Sequence, residues 1–126
     1  GLEHGRRLAA QGFRTFLLAG ELKSKTEAVV GLGAVSSLQK YNFNKAFFGT
    51  NGITVDSGFT TPDTNEAYVK MEAMKHAQKC YVLADSGKFG TCTSITTADI
   101  SDATIITGKG VEKEYLEEAD IIEVEE

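Results

Sequence analysis

Short apolar runs, each closed by glycine or polar residues, alternate along this chain with stretches whose apolar positions recur at helical spacing. The runs at residues 13–18, 45–48, 81–84, 103–106 and 121–124 predict five strands. Residues 2–10 predict a helix that Gly12 is placed to end. A second helix is predicted from Thr26 to about Tyr41, with Ala28, Val29, Leu32, Val35 and Leu38 on one face. A third is predicted from Pro62-Asp63 to about Lys79, with Ala67, Tyr68, Met71, Met74 and Ala77 inward. Residues 111–118 predict a fourth.

Strands alternating with helices predict βαβ units, hence an α/β fold around a mostly parallel sheet with right-handed crossovers. In such sheets ligands bind beyond the carboxyl ends of the strands. Four polar or glycine-bearing segments follow predicted strands: Gly20-Glu21, Gly49-Thr50-Asn51-Gly52, Asp85-Ser86-Gly87-Lys88 and Thr107-Gly108. The fold therefore predicts one polar edge, on which Asp85 to Lys88 is the segment best equipped for chemistry.

Length and composition bound this picture. The chain has 126 residues, 41% apolar and 25% charged, which suits a single globular domain. Residues 1–63 hold seven Lys/Arg and five Asp/Glu, a net of +2, whereas residues 64–126 hold six and thirteen, a net of −7. The acidic stretch 111–126 would repel a phosphate backbone, so this chain is not expected to bind nucleic acid by itself. Its two cysteines, Cys80 and Cys92, do not make a disulfide framework, and a reduced cytoplasmic setting is the simplest expectation. No apolar stretch is long enough for a membrane span, and the first ten residues lack the apolar core of a signal peptide. The chain opens without methionine inside a predicted helix, as a piece of a longer protein would.

Local spacing leaves each candidate with two readings. Asp85 could accept hydrogen bonds from sugar hydroxyls while Lys88 meets an anion; equally, Asp85 and Gly87 could build a turn with Lys88 in solvent. Gly49 to Gly52 could bring backbone N–H groups to a ligand or form an Asn-Gly turn from Phe48 to Ile53. Asp63 and Glu66 have the spacing of a capping box, with a Glu66 that reaches a sugar or acts as a base as the rival. Gly31-Leu32-Gly33 lacks the next glycine of a dinucleotide fingerprint. His4 and His76 are isolated, and no Cys/His cluster has metal-ligand spacing, so neither metal nor cofactor is called for.

Taken together, FNKAFFGTNGI (43–53), GFTTPDTNEAYVKMEAM (58–74), VLADSGKFG (82–90) and ATIITG (103–108) resemble, in order and spacing, the effector domain of the DeoR family of bacterial sugar-operon repressors. FLLAGELKSKTEAVVG (16–31) resembles the strand, Gly-Glu turn and helix that precede them in that family. The resemblance implies a Rossmann-like open sheet with helices on both faces, similar to ribose-5-phosphate isomerase and glucosamine-6-phosphate deaminase. It implies a single sugar-phosphate-binding domain over residues 1–126 from which the family's N-terminal winged helix and phosphate-loop strand are missing. DNA would be met only through that absent domain, and homo-oligomerisation is a family expectation.

The resemblance also implies the site: Gly20, Glu21, Gly49 and Gly52 shaping its floor, Asn51, Glu66 and Asp85 meeting hydroxyls, and Lys88 meeting the anionic group. The isomerases carry two acids in the segment matching residues 49–54, where this chain has Asn51 and Thr54, which cannot take up a proton as a carboxylate can. The expected function is sensing without catalysis. The rivals are an isomerase or deaminase with Glu66 as base, and an oligomerisation module with a vestigial pocket.

Overall fold

The computed structural model describes residues 7, 10–12, 21–22, 29–30 and 38–125. A four-stranded parallel sheet forms its spine, in the order β3 (Phe43–Phe48), β6 (Ala77–Leu83), β8 (Thr104–Gly108), β9 (Ile121–Val124). Beside it lies a three-stranded antiparallel sheet, β4 (Gly52–Thr54), β5 (Gly58–Thr61) and β7 (Ile95–Ala98), with β5 in the middle. A short antiparallel ladder joins β1 (Glu21–Leu22) to β2 (Val29–Val30). Helix α1 (Thr64–Lys75) links β5 to β6, and α2 (Lys113–Glu118) links β8 to β9.

The predicted α/β class with a mostly parallel sheet is what the chain adopts. Predicted strand 121–124 is β9. The strands predicted at 45–48, 81–84 and 103–106 are β3, β6 and β8, displaced by a few residues. Strand β6 begins at Ala77, so the helix expected to run to Lys79 stops at Lys75, where His76 N–H closes onto Ala73 and Met74 carbonyls. The inward face of α1 is also corrected: Ala67, Val69 and Ala73 are buried, while Tyr68 is 60% and Met71 37% exposed. Small alanines let the helix lie close to the sheet, and side-chain size misled the sequence reading. Val29 and Val30 pair with Leu22 and Glu21, overturning a helix that starts at Thr26; β-branched side chains suit the ladder better than a helical turn. Arg7 and Ala10 are helical, Gln11 N–H bonds to the Arg7 carbonyl, and Gly12 follows at φ +92°, as a helix-ending glycine would. Predicted strand 13–18 lies outside the described residues.

With monotonic strand order and parallel strands, crossovers of one hand lie on one face of the sheet. That face holds the main core, in which Ile53, Phe59, Val82, Ile100, Ala103, Ile105 and Tyr115 pack together, and Leu38, Val69 and Ala73 form a second cluster beside Phe48. The opposite face carries Phe47 stacked on Tyr81 at 5.1 Å, with Leu83, Ile122 and Val124 also exposed.

The antiparallel sheet was not expected from the sequence. Gly52 lies against the backbone that follows the Ser86–Lys88 turn: a Cβ there would collide with the Thr91 carbonyl and stand 2.8 Å from Thr60 Oγ1. A Cβ at Gly49 would meet nothing within 4 Å. Gly52→Ala should therefore cost about 1–3 kcal/mol through overpacking, while Gly49→Ala changes stability by no more than about 0.5 kcal/mol. Urea unfolding of the two variants measures the difference, and equal midpoints would contradict the close approach.

Candidate functional site

All four strands of the parallel sheet run the same way, so the segments after Phe48, Leu83 and Gly108 leave from one edge. Phe48 is level with Val82, which brings the segment leading to Asn51 alongside that leading to Asp85. The two chains then touch directly. Ile53 forms a parallel bridge with Phe89, and Gly90 N–H donates to the Ile53 carbonyl at 2.8 Å. The segment that carries Asn51 and Gly52 thus lies against the one that follows Asp85 and Lys88, with Gly49 at the exit of β3.

The β4–β5 ladder adds Glu66. Asn51 N–H donates to the Thr60 carbonyl at 3.0 Å, and Thr60 is followed by Thr61, whose hydroxyl donates to Glu66 Oε2 at 3.2 Å. Asp63 is the N-cap of α1 and accepts from Glu66 N–H at 3.0 Å, so the Asp63 half of the predicted capping box is present. The Thr61 oxygen also accepts from Asp63 N–H at 3.4 Å. Thr61 is fully buried, so its hydroxyl is placed by the end of β5 rather than by solvent.

The Asp85 turn supports the structural reading of that residue and leaves the binding one open. Asp85 caps the 3₁₀ turn Ser86–Lys88, its Oδ1 accepting from Gly87 N–H at 2.9 Å, and the carboxylate stays exposed. Lys88 is half-buried, and no carboxylate among the described residues lies within ion-pair distance of its ammonium. Asn51-Gly52 is a crossing from one sheet into the other, not the two-residue hairpin turn that its sequence could form. Glu21 is corrected: it belongs to the β1–β2 ladder rather than to a strand-end turn. Gly20 lies outside the described residues. Gly52 is required by packing against Thr91, whereas Gly49 has open space around it.

Several contributors were not singled out from the sequence. Thr50 Oγ1 lies 3.0 Å from the Gly52 carbonyl and 3.1 Å from that of Thr60, tying the crossing strand down. Thr60 Oγ1 accepts from Thr93 N–H at 2.9 Å. Thr107, 2% exposed at the carboxyl end of β8, has a buried hydroxyl with no hydrogen-bond partner among the described residues. The run Thr60-Thr61 before Pro62 was the available signal, but a hydroxyl's partner depends on which strand lies beside it. Lys70, one turn beyond Glu66, has its ammonium pKa lowered by burial, with the Glu66 carboxylate opposing that shift.

A separate cavity of about 410 Å³ opens at the amino edge of the sheet, among Met71, Met74, Cys80, Ala98 and Asp102. Burial, and then the Asp102 carboxylate, push the Cys80 thiol pKa up. Among the described residues no three His, Cys, Asp or Glu side chains are grouped to hold a metal, and no helix is long and apolar enough to cross a membrane.

The chain matches the model of the DeoR C terminal sensor domain over residues 1–109. Over 107 residues it is 43% identical to the "Uncharacterized HTH-type transcriptional regulator FruR" of Bacillus subtilis, covering 85% of this chain and 43% of that protein. Over 108 residues it is 33% identical to the HTH-type transcriptional regulator IolR of the same organism, with the same coverage of each. It is 40% identical over 78 residues to the lactose phosphotransferase system repressor of Staphylococcus epidermidis, covering 62% of this chain and 31% of that repressor. The chain thus spans less than half the length of these regulators.

The environments of the two cysteines can be tested by thiol labelling. Cys92 is exposed and Cys80 half-buried with a raised thiol pKa. The thiolate is the reactive form, so a disulfide reagent at neutral pH should modify Cys92 first and Cys80 slowly, with the Cys80 rate climbing as pH increases. Equal rates at both positions would contradict the burial of Cys80 beneath α1.

Proposed function

The chain belongs to the DeoR C-terminal sensor-domain family, and from that membership we propose that it is the effector-binding part of a transcriptional repressor of carbohydrate metabolism, with a phosphorylated sugar as effector. In the intact protein an N-terminal helix-turn-helix domain meets the operator in the cytoplasm. The effector favours one arrangement of associated sensor domains and so shifts the DNA-binding heads. Residues 1–126 act in this reading as one domain.

The observation that carries the reading is the half-buried Lys88, its ammonium unpaired among the described residues, on a segment that leaves the same edge of the sheet as that of Asn51. A cation without a partner among the described residues, near amide and carboxylate acceptors, suits a ligand with an anionic group at one end and hydroxyls at the other. Thr107 lies on the same side, and its unpartnered hydroxyl is available to a polar ligand or a bound water. Phosphorylated fructose or tagatose are reasonable probes for such a site.

The same residues favour binding over turnover. Proton abstraction beside a carbonyl needs a positioned base. Thr54 Oγ1 is engaged as the acceptor of Ser57 N–H at 3.0 Å, and Asn51 has no basic group. Glu66 is the one carboxylate in the matched set tied into the helix start, through Thr61 and the Asp63 cap.

Two measurements on the intact protein test this. Lys88→Glu should weaken sugar-phosphate binding in calorimetry by more than about tenfold, roughly 1.4 kcal/mol, with the fold retained, because a loop lysine contributes little to stability. Unchanged affinity would return Lys88 to a solvated turn. Proton NMR of fructose, tagatose, ribose and glucosamine phosphates in D₂O should show no protein-dependent deuterium uptake beside the carbonyl. Uptake that disappears in Glu66→Gln would replace the sensor with an isomerase.

A further inference from the structure

The turn that carries Lys88 buries none of its own residues: Ser86 and Gly87 are exposed and Lys88 is half-buried. Its bonds are local. The Asp85 carboxylate accepts from Gly87 N–H, and Lys88 N–H donates to the Asp85 carbonyl at 3.1 Å. Such bonds shape a turn without fixing where it stands over the sheet, so its position comes from its two ends. At the first, Ala84 N–H donates to the Ile106 carbonyl at 3.1 Å, which continues the pairing of β6 with β8. At the second, Phe89 follows Lys88 directly, bridges Ile53, and meets the Tyr115 ring edge-on, with 4.9 Å between centres and 67° between planes. Tyr115 is 7% exposed and belongs to the core cluster of Ile53, Val82 and Ile105. Ala119 N–H closes α2 onto its carbonyl at 2.9 Å. Its phenol oxygen reaches Gly90, 4.0 Å from where a Cβ would stand, at a φ of +88° that glycine adopts readily.

We propose that Tyr115 is a positioning residue of the effector site, whose ring, fixed in the core by α2, holds Phe89 and so keeps Lys88 where its ammonium meets the anionic group of the ligand. The inference rests on the sensor reading above and adds to it the group that places the cation. A lysine carries its charge on a long flexible stem, so what it contributes to affinity depends on the freedom its backbone has lost before the ligand arrives. Phe89 is the neighbour of Lys88 along the chain, and its ring contact with Tyr115 ties the exit of the turn to the crossover between β8 and β9. Loss of the Tyr115 ring should therefore reach ligand affinity through Lys88, and a protein without the Lys88 charge should no longer feel it.

The test is a double-mutant cycle on the intact protein, with affinities for fructose 1-phosphate, fructose 6-phosphate, tagatose 6-phosphate and ribose 5-phosphate measured by calorimetry. Tyr115→Leu removes the ring and keeps an apolar core residue; Tyr115→Phe keeps the ring; Lys88→Met keeps the stem and removes the charge. We expect Tyr115→Leu to weaken the tightest of these sugars at least about fivefold, the order of an edge-to-face aromatic contact, and Tyr115→Phe to stay within about twofold. In the Lys88→Met background Tyr115→Leu should have little further effect. A Tyr115→Leu loss of the same size in both backgrounds, or an equal loss in Tyr115→Phe, would overturn the proposal. If Tyr115→Leu unfolds, Phe89→Met takes its place in the cycle, and a loss independent of Lys88 again overturns the proposal. If Lys88→Met binds too weakly to close the cycle, Tyr115→Leu against Tyr115→Phe decides, since only the phenylalanine restores the ring. Binding by the unsubstituted protein with additive losses overturns the positioning role alone. No binding of any of the four sugars by the unsubstituted protein overturns the sensor reading, and this proposal with it.

Discussion

One backbone contact organises the molecule: the parallel bridge between Ile53 and Phe89, with Gly90 N–H bonded to the Ile53 carbonyl. It is where the parallel sheet's second strand, through its exit loop, meets the antiparallel sheet. Buried backbone groups must be paired, and Ile53 has no exposed surface, so the bond seals the core at this point. The approach is feasible because Gly52 has no side chain to strike the Thr91 carbonyl. Phe89 then packs edge-on to Tyr115 of α2 at 4.9 Å, which carries the same junction across to the last crossover. Burial, followed by the carboxylates of Glu114 and Glu112, raises the Tyr115 phenol pKa, so it stays neutral in this setting.

From this junction follows the character of the candidate site. Its polar groups are held by short connections to buried strands rather than by loose loop ends. Thr50, Thr60 and Thr61 each spend a hydroxyl on a neighbouring strand or helix start, and a buried hydroxyl without a partner would be costly. Lys88 and Thr107 are exceptions: among the described residues no carboxylate lies within ion-pair distance of the half-buried Lys88, and the Thr107 hydroxyl has no hydrogen-bond partner. In the sensor reading proposed above, the buried threonines would pre-organise the site and Lys88 would meet the charge of the ligand.

The parallel sheet is unevenly clothed among the described residues. Parallel sheets are ordinarily buried on both faces. Here the face with Val82 and Ile105 is sealed by the antiparallel sheet and both helices, while Phe47, Leu83, Ile122 and Val124 on the other face remain between 39% and 49% exposed. Lys79 lies 5.5 Å from the Tyr81 ring centre on that face, an exposed cation–π contact of modest strength. This is a sheet whose apolar surface exceeds what its described neighbours cover, in a chain that spans less than half the length of the regulators it matches.

Sequence alone determined the quantities that depend on neighbours along the chain. The alternation of apolar runs and helical periods was enough for an α/β fold with a parallel sheet, and Ile121–Val124 could be read directly. Asp63 capping Glu66 N–H and Asp85 capping its own turn were legible for the same reason, since both partners lie within three residues. Tertiary structure decided everything that needs a partner far along the chain. Gly58–Thr61 carries no clear strand alternation, and becomes a strand only because β4 and β7 flank it with backbone partners. Val29 fits the helical period and Val30 lies within the predicted helix, but the two pair with Leu22 and Glu21. The inward face of α1 followed the room left by the sheet, which admits Ala67 and Ala73 and leaves Tyr68 outside. Thr61 was indistinguishable from any threonine before a proline until the end of β5 set it against Glu66. A hydroxyl or a short strand acquires its role from where the fold puts its partner, and that position is a property of packing, not of local order.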